Sequence, residues 1–324
     1  MTQKTKKQHT VPQFYLYEWC IPGTHQVHVY DKITDSKRIN NILDVASERY
    51  FYDIAPEELF PDSFIESLYQ NGLEIANDTQ AVEKALAVEI EQPFSEIIKA
   101  ILEKTNELTP WFIKNCFFIK EEKKQELSAY LALQYVRTKY VRNNIRDAAE
   151  RLTQFLAELG ASESTISEYS LTEKQAKNVH IKMLVDGESL SEITHCFNRL
   201  TWMLAINKTD EKFYTSDCPI GTYGHIKDPL LPMNGLASEG VEVFFPLSPN
   251  VILIMVDGVY HYQYLLYDRK YVEITERANV DFYNSLLAMQ ANRLIISSDG
   301  DFSLIKRMLD HDRDILKPPS IQIN

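Results

Sequence analysis

Strand-like segments occur at both ends of this 324-residue chain, and a long region of helical periodicity separates them. Near the start, residues 26–31 alternate in the way of a half-buried strand. Short apolar and β-branched runs return from residue 212 onwards. Because strands and helices do not alternate along the chain, a parallel βαβ fold is disfavoured. The pattern predicts an α+β protein in which N- and C-terminal segments build an antiparallel sheet, with a large helical insertion between them.

The C-terminal third carries most of the predicted strands, separated by Pro, Gly, Asn and Asp. The expected strands are residues 212–215, 240–245, 251–256, 259–266 and 271–275. Asp257-Gly258 between two of them is a hairpin signal. Residues 220–239 predict a long loop, 276–292 a helix, and 293–297 a last strand.

The middle of the chain predicts helices, because apolar residues recur there at three- and four-residue spacing. The expected helices are residues 60–72, 78–105 with a break at Pro93, 109–118, 121–160, 172–186 and 189–206. Asp78 is an expected cap, and Thr109-Pro110 reads as an N-cap followed by proline at the first helical position. We therefore predict an N-terminal hairpin over residues 1–55, a helical block over 56–206 and a C-terminal sheet with its helix over 207–324, which together form one composite domain.

The composition narrows the class of protein. A hydrophobic fraction of 44% supplies a sizeable core. No apolar run reaches membrane-spanning length and the polar start lacks a signal-peptide pattern, so we expect a cytoplasmic protein with no membrane partner. The four cysteines are far apart and lack the C-x-x-C spacing of zinc and redox sites. A net charge of −12 repels polyanions on average but leaves room for a local basic groove.

Three polar motifs together resemble family 4238 of the domain-of-unknown-function series. They are His-Thr-Val-Pro-Gln-Phe-Tyr-Leu at residues 9–16, Ala-Leu-Gln-Tyr-Val-Arg-Thr at 132–138, and Phe-Tyr-Thr-Ser-Asp-Cys-Pro at 213–219 followed by Phe-Pro-Leu-Ser-Pro at 245–249. The residues that match the family pattern are His9, Pro12, Gln13, Glu83, Glu89, Gln134, Arg137, Thr138, Thr215, Ser216, Asp217 and Pro219. The chain departs from the pattern at Lys139, where proline is common, and at Cys218, where asparagine is common. The resemblance implies no activity, because the family itself has no assigned function.

His9 and Asp217 are the candidate catalytic residues. A neutral imidazole at His9 can accept a proton near neutral pH, and its alternative role is to anchor the N-terminal segment. Asp217 can orient His9 or bind a metal, and its alternative role is to tie down a turn before Pro219. Gln13, Thr215 and Ser216 are candidate substrate-binding residues, and Ser216 lacks the surroundings of a nucleophile.

Arg137 and Gln134 form the second candidate group, because their spacing places them on one face of a helix. A guanidinium there suits two-point contact with a phosphate, while the alternative is an ion pair with Glu83 or Glu89. These two glutamates lie six residues apart and cannot form a metal site by themselves. They are weak candidates for ligands of Mg²⁺ or Mn²⁺.

The residue types favour a hydrolase acting on a phosphate-bearing substrate such as RNA, DNA or a nucleotide, compatible with a nuclease in a microbial defence or toxin-like role. The alternative is a non-catalytic module that binds a ligand or a protein and uses the same polar residues as structural anchors. A nucleotide-modifying transferase is a third hypothesis. The oligomeric state and any metal requirement stay open at this point.

Overall fold

The computed structural model describes residues 5–55, 58, 79–227 and 233–317. It is an α+β structure, as predicted, with three sheets and a large helical region between the N- and C-terminal strands. The strands are β1 (Lys7–His9), β2 (Gln26–Asp31), β3 (Ser36–Asn41), β4 (Ser47–Arg49), β5 (Thr201–Asn207), β6 (Thr215–Ser216), β7 (Gly221–Gly224), β8 (Val241–Ser248), β9 (Val251–Val256), β10 (Lys270–Ile274) and β11 (Leu294–Ser297).

The helices lie mainly in the middle of the chain and at the C-terminus. They are α1 (Gln13–Leu16), α2 (Ala81–Ala85), α3 (Glu91–Thr105), α4 (Pro110–Asn115), α5 (Glu121–Val136), α6 (Lys139–Glu158), α7 (Glu163–Tyr169), α8 (Glu173–Val185), α9 (Gly187–Asn198), α10 (Arg277–Gln290) and α11 (Ser303–His311). A π-helical turn, Leu86–Ile90, joins α2 to α3. None of the helices in the described ranges is both long and apolar enough to cross a membrane.

The N-terminal hairpin joins the C-terminal part of the chain through one sheet. Strands β2 and β3 pair with each other, and β2 also pairs with β11, so the order is β3-β2-β11-β6 with every pair antiparallel. A short pairing of β1 with β4 lies beside it. The predicted union of the two chain ends is therefore confirmed.

A second sheet, in the order β10-β5-β9-β8-β7, has side chains buried on both faces. Trp202 and Leu204 of β5 pack into a core shared with the N-terminal segment and the helical block. Met203 and Ala205 point the other way, into a core shared with α10 and α11. This sheet is thus the middle layer between two groups of helices.

Several predicted elements were wrong in detail. The strand expected over 212–215 is limited to β6 at Thr215–Ser216, and the loop expected over 220–239 contains β7. The helix expected over residues 189–206 ends at Asn198, and the apolar run after it is β5, because a strand buried on both faces lacks the alternation that marks a strand. The strand expected over 259–266 is instead a turn and a 3₁₀ helix, Tyr262–Tyr267, because β10 takes the free edge of β5 in parallel. The helix does not end at Pro93, because its irregularity lies earlier, in the π-helical turn Leu86–Ile90 that leads directly into α3.

The predicted cap of α4 is confirmed. Thr109 caps α4 by accepting a hydrogen bond from the N–H of Phe112, and Pro110 follows at the first helical position. The single helix predicted over 121–160 was wrong, because the chain divides there into α5 and α6 at Arg137-Thr138, although it has Lys139 where the family pattern commonly has proline. The predicted helix at 60–72 and the cap at Asp78 lie outside the described residues. The domain boundaries remain a prediction.

Candidate functional site

The N-terminal motif lies in the interior, and hydrogen bonds to later parts of the chain hold it there. The Gln8 side chain donates to Asp53 and accepts from the N–H of Tyr52. Both the N–H and the hydroxyl of Thr10 donate to the carbonyl of Ala46. This segment therefore depends on contacts distant in sequence for its position.

Arg137 is the main anchor of this segment. Its side chain is 3% exposed, and Nη2 donates to the carbonyl oxygen of His9 at 2.6 Å and to Oε1 of Glu91 at 3.0 Å. The hydroxyl of Tyr52 donates in turn to the carbonyl of Arg137 at 2.8 Å. The ion pair expected as the alternative to phosphate binding thus exists, and among the described residues its partner is Glu91 rather than Glu83.

His9 keeps one ring nitrogen without a hydrogen-bond partner. Nδ1 lies 3.5 Å from Nε2 of Gln13, and Nε2 is buried with no partner among the described residues. Burial lowers the pKa of His9, and Arg137 lowers it further, while Glu91 and nearby backbone groups oppose this. The imidazole is therefore neutral at pH 7 and able to accept a proton.

Glu83 lies in the same cluster. Its Oε2 is buried without a hydrogen-bond partner among the described residues. Burial raises the pKa of Glu83 to about 7, with Arg137 opposing the shift and Glu91 and Asp53 adding to it. A carboxyl that titrates near neutral pH is suited to proton transfer, although structural carboxyls also show such shifts.

We predict that Glu83→Gln changes the pH dependence of stability. In the folded state Glu83 holds its proton up to about pH 7, whereas its ordinary pKa is 4.5. The contribution of protonated Glu83 to the free energy of unfolding is therefore complete below about pH 4.5 and is lost as pH rises through 7. After discounting for partial exposure, we expect the free energy of unfolding of the variant to exceed that of the wild type by about 1–2 kcal/mol at pH 8 and to equal it near pH 4.5.

Urea unfolding across this pH range measures the effect. Glu103→Gln is the matched control, because Glu103 lies exposed on the same helical run and, in the part of the chain that the structure describes, carries an ion pair with Lys99 alone. Parallel pH profiles for the Glu83→Gln variant and the wild type would contradict the prediction.

Asp217 does not contact His9 through a hydrogen bond. Its carboxylate oxygens accept the backbone N–H groups of Asn292, Arg293 and Leu294 at 2.9–3.0 Å. Burial raises the pKa of Asp217 to about 6, although these N–H groups and the charge of Lys32 oppose the rise. These bonds anchor the start of β11 next to β6, a long-range role that differs from the local turn before Pro219 expected as the alternative.

The neighbours of Asp217 are also engaged in internal contacts. The Thr215 hydroxyl lies 2.6 Å from the hydroxyl of Tyr15. The Ser216 hydroxyl bonds to both the carbonyl and the N–H of Cys218, which closes a tight turn.

Gln134 donates to the carbonyl of Thr10, and its Oε1 is buried without a partner among the described residues. The predicted residues therefore form two groups, one around His9 and Arg137 and one around Asp217.

A cleft of about 230 Å³ lies beside Asp217. Two of the sequence motifs meet there, because the motif at residues 9–16 contributes Thr10 to the lining and the motif at residues 213–219 contributes Asp217. The lining residues are Thr10, Arg38, Asp44, Ala46, Ser47, Glu48, Lys139, Asp217, Asn292, Arg293 and Leu294. Three cationic side chains, Arg38, Lys139 and Arg293, therefore share this one cleft.

A buried carboxylate holds two of these cations in place. Asp31 is 0% exposed, and its Oδ2 accepts from Nη1 of Arg38 at 2.9 Å and from Nε and Nη2 of Arg293 at 2.9 and 2.7 Å. Its Oδ1 accepts the N–H groups of Ile33 and Thr34. Burial by itself would raise the pKa of Asp31, but these hydrogen bonds bring it below the usual range, so Asp31 is ionised at neutral pH.

Each of the two arginines retains a terminal nitrogen for other partners. Within the described part of the chain, Nη2 of Arg38 and Nη1 of Arg293 take part in neither a hydrogen bond nor an ion pair. Both side chains are partly exposed, at 37% and 45%. The other charges of the cleft are largely balanced, because Lys139 pairs with Glu48 and Asp44 with Lys7. The arginines therefore form its main site for an anion.

The metal prediction gains no geometric support. Over residues 5–55, 58, 79–227 and 233–317, no group of three or more His, Cys, Asp or Glu side chains could hold a metal ion. The side chain of Glu89 lies outside the described residues. Glu83 and Asp217 belong to the two separate groups described above.

Sequence reasoning missed Asp31, Arg38 and Arg293. No spacing along the chain marks them, because pairing of β2 with β3 and β11 brings them together. The only signal available was Asp31 at the end of a predicted strand, where an ionisable residue would enter the sheet interior.

The family model described as "Protein of unknown function (DUF4238)" matches residues 7–301. This match agrees with the resemblance of the three motifs. No curated protein and no solved structure matches the chain.

Proposed function

The chain belongs to the DUF4238 family of proteins of unknown function, and we propose that it binds a phosphate-bearing ligand in the cleft between Arg38, Arg293 and Lys139. The observation that carries this proposal is the buried Asp31, which holds both guanidinium groups at the cleft wall. Arginines held in place lose less entropy on binding than free ones, and each keeps an N–H group for the ligand.

The free N–H groups of the two arginines support an anionic ligand of modest size. The cleft lining also holds three carboxylates, Asp44, Glu48 and Asp217, and the whole chain carries a net charge of −12, so the proposal relies on directed hydrogen bonds rather than on an excess of positive charge. A volume of about 230 Å³ accommodates a phosphate with an attached sugar or short chain. A nucleotide, or one segment of an RNA or DNA strand, fits this description.

Binding assays on the full-length protein test the proposal. Inorganic phosphate, ATP and labelled single-stranded RNA and DNA serve as probes at fixed low salt, since contacts to phosphate weaken as salt rises. We predict that Arg38→Met and Arg293→Met each weaken binding about 10- to 100-fold, because each removes a charge-assisted hydrogen bond.

Arg313→Met is the matched control, because Arg313 is exposed near the C-terminus and does not line the cleft. Equal affinity in the wild type and in the Arg38→Met, Arg293→Met double variant would overturn the assignment of this cleft. So would the absence of binding to all four probes.

Hydrolysis of the same class of ligand is the second candidate, and His9 is the observation that favours it. The neutral imidazole keeps a buried nitrogen without a partner among the described residues, and Glu83 titrates near pH 7 in the same cluster. Adding Mg²⁺ or Mn²⁺ and following product release turns the binding assay into a test of turnover. Turnover that is equal in wild type and His9→Ala would remove His9 from the reaction, and binding without turnover would favour the non-catalytic module.

A further inference from the structure

A second polar cluster lies on the five-stranded sheet, away from the cleft residues. At its centre is Glu242 of β8, which is only 7% exposed. Its Oε1 accepts from the hydroxyl of Tyr283 at 2.6 Å, and its Oε2 lies 2.7 Å from Nε2 of His225. A buried carboxylate is therefore fixed on both oxygens by groups from α10 and from the end of β7.

This arrangement determines which nitrogen of His225 stays available. Because the carboxylate can only accept, Nε2 of His225 carries the proton and donates to it. In the neutral form of the ring, Nδ1 then keeps its lone pair. The side chain of His225 is 29% exposed, so a small ligand can reach it from solvent.

His261 packs against His225 with its own nitrogen unsatisfied. The two ring centroids are 4.5 Å apart and the ring planes make an angle of 80°. His261 is 6% exposed, and its Nε2 is buried without a hydrogen-bond partner among the described residues. Leaving such a group unpaired costs free energy, and a bound ion is one way to satisfy it.

Two carboxylates, Glu242 and Asp257, lie near this imidazole. Asp257 is already engaged, since its carboxylate accepts the N–H groups of Gly240 and Val259. A neutral imidazole nitrogen is a donor to transition metals.

We propose that His225 and His261 together bind a divalent transition-metal ion of the Ni²⁺ or Cu²⁺ type, with Glu242 orienting His225 from behind. Ligating histidines usually donate their other ring N–H to a carboxylate, and His225 does so to Glu242. The ligand type also determines the metal, because imidazole nitrogen suits Cu²⁺, Ni²⁺ and Zn²⁺ rather than Mg²⁺.

The ring geometry is compatible with one shared ion. Two imidazoles bound at about 2.1 Å to the same metal in neighbouring positions have ring centroids roughly 4.5–5 Å apart. The observed 4.5 Å falls in this range. With two protein ligands instead of the four of a structural zinc site, the remaining positions go to water or a small ligand.

Calorimetric titration of the untagged, full-length protein with Ni²⁺ tests the site. We expect one high-affinity ion per chain, lost in His225→Asn and in His261→Asn. Glu242→Gln keeps both ligands and is expected to weaken binding about 10- to 100-fold, as loss of an outer-shell carboxylate does elsewhere.

His195→Asn is the matched control, because His195 is exposed on α9 and lies outside the cluster. Thermal unfolding of each variant without metal separates loss of a ligand from loss of the fold. His225→Asn serves as the decisive variant if the more buried His261→Asn fails to fold. Wild-type binding in a folded His225→Asn variant overturns the proposal, as does the absence of Ni²⁺ binding by the wild type.

Discussion

Arg137→Met is expected to lower the free energy of unfolding by about 3 kcal/mol, a large share of the stability of a typical domain. The guanidinium is 3% exposed and bridges the carbonyl of His9 and the carboxylate of Glu91. Methionine fills similar volume but donates no hydrogen bond, so both acceptors lose their partner. Glu91 remains 24% exposed, which lets water compensate in part and keeps the cost near the lower end for a broken buried ion pair.

Urea unfolding followed by tryptophan fluorescence measures this loss, since Trp19 and Trp202 are fully buried reporters. Arg151→Met on the exposed face of α6 removes the same charge without a buried partner, and we expect a change within about 0.5 kcal/mol. Arg137→Lys keeps the charge but not the forked geometry, so it should recover only part of the loss. An Arg137→Met variant as stable as Arg151→Met would show that the N-terminal segment does not depend on this anchor.

Arg137 also shows which contacts could be predicted from the sequence. The helical spacing placed Arg137 and Gln134 on one face, and both contact the N-terminal motif, at His9 and Thr10. The pairing of Arg137 with Glu91 could not be derived, because it depends on how α3 and α5 pack, which helical spacing does not show. Glu83 and Glu91, eight residues apart, lie within about 80° of each other on an ideal α-helix, and the extra residue of the π-helical turn at 86–90 brings them closer to one face.

The fold class was predictable for a different reason than the site. Alternation marks β2, and apolar runs bounded by turn residues mark β8 and β9, so these strands form as expected. The cleft arises instead from pairing of β2 with β11, strands separated by most of the chain. Residues that such non-local pairing brings together show no periodic pattern in the sequence. Asp217 was predicted because it lies in a sequence motif, whereas Asp31 lies in none.

Asp31→Asn is expected to affect both stability and ligand binding, because one carboxylate holds two arginines and closes a turn. The amide keeps an oxygen for the N–H groups of Ile33 and Thr34, but its NH₂ group cannot accept from Arg38 and Arg293. Both arginines can turn to solvent, so we expect a loss of about 2–4 kcal/mol rather than a full buried-charge penalty.

The pH dependence identifies the carboxylate as the cause. The pKa of Asp31 lies below the usual range in the folded state, so its contribution is complete above about pH 4 and is lost as pH falls towards the folded value. The difference in unfolding free energy between wild type and Asp31→Asn should therefore be largest at neutral pH and shrink below pH 4. Asp147→Asn, which removes an exposed partner of Arg146, provides the control and should show no such trend beyond about 0.5 kcal/mol.

Ligand binding provides a second test of the Asp31→Asn variant. If Asp31 holds the two guanidinium groups ready for phosphate, Asp31→Asn should weaken phosphate binding at least about 10-fold, because the arginines must then be ordered by the ligand itself. Removing a negative charge from beneath the cleft acts in the opposite direction, since it raises the local potential for an anion. A variant that is destabilised yet binds phosphate as tightly as the wild type, or more tightly, would show that Asp31 serves the fold alone and that pre-organised arginines are not the basis of binding.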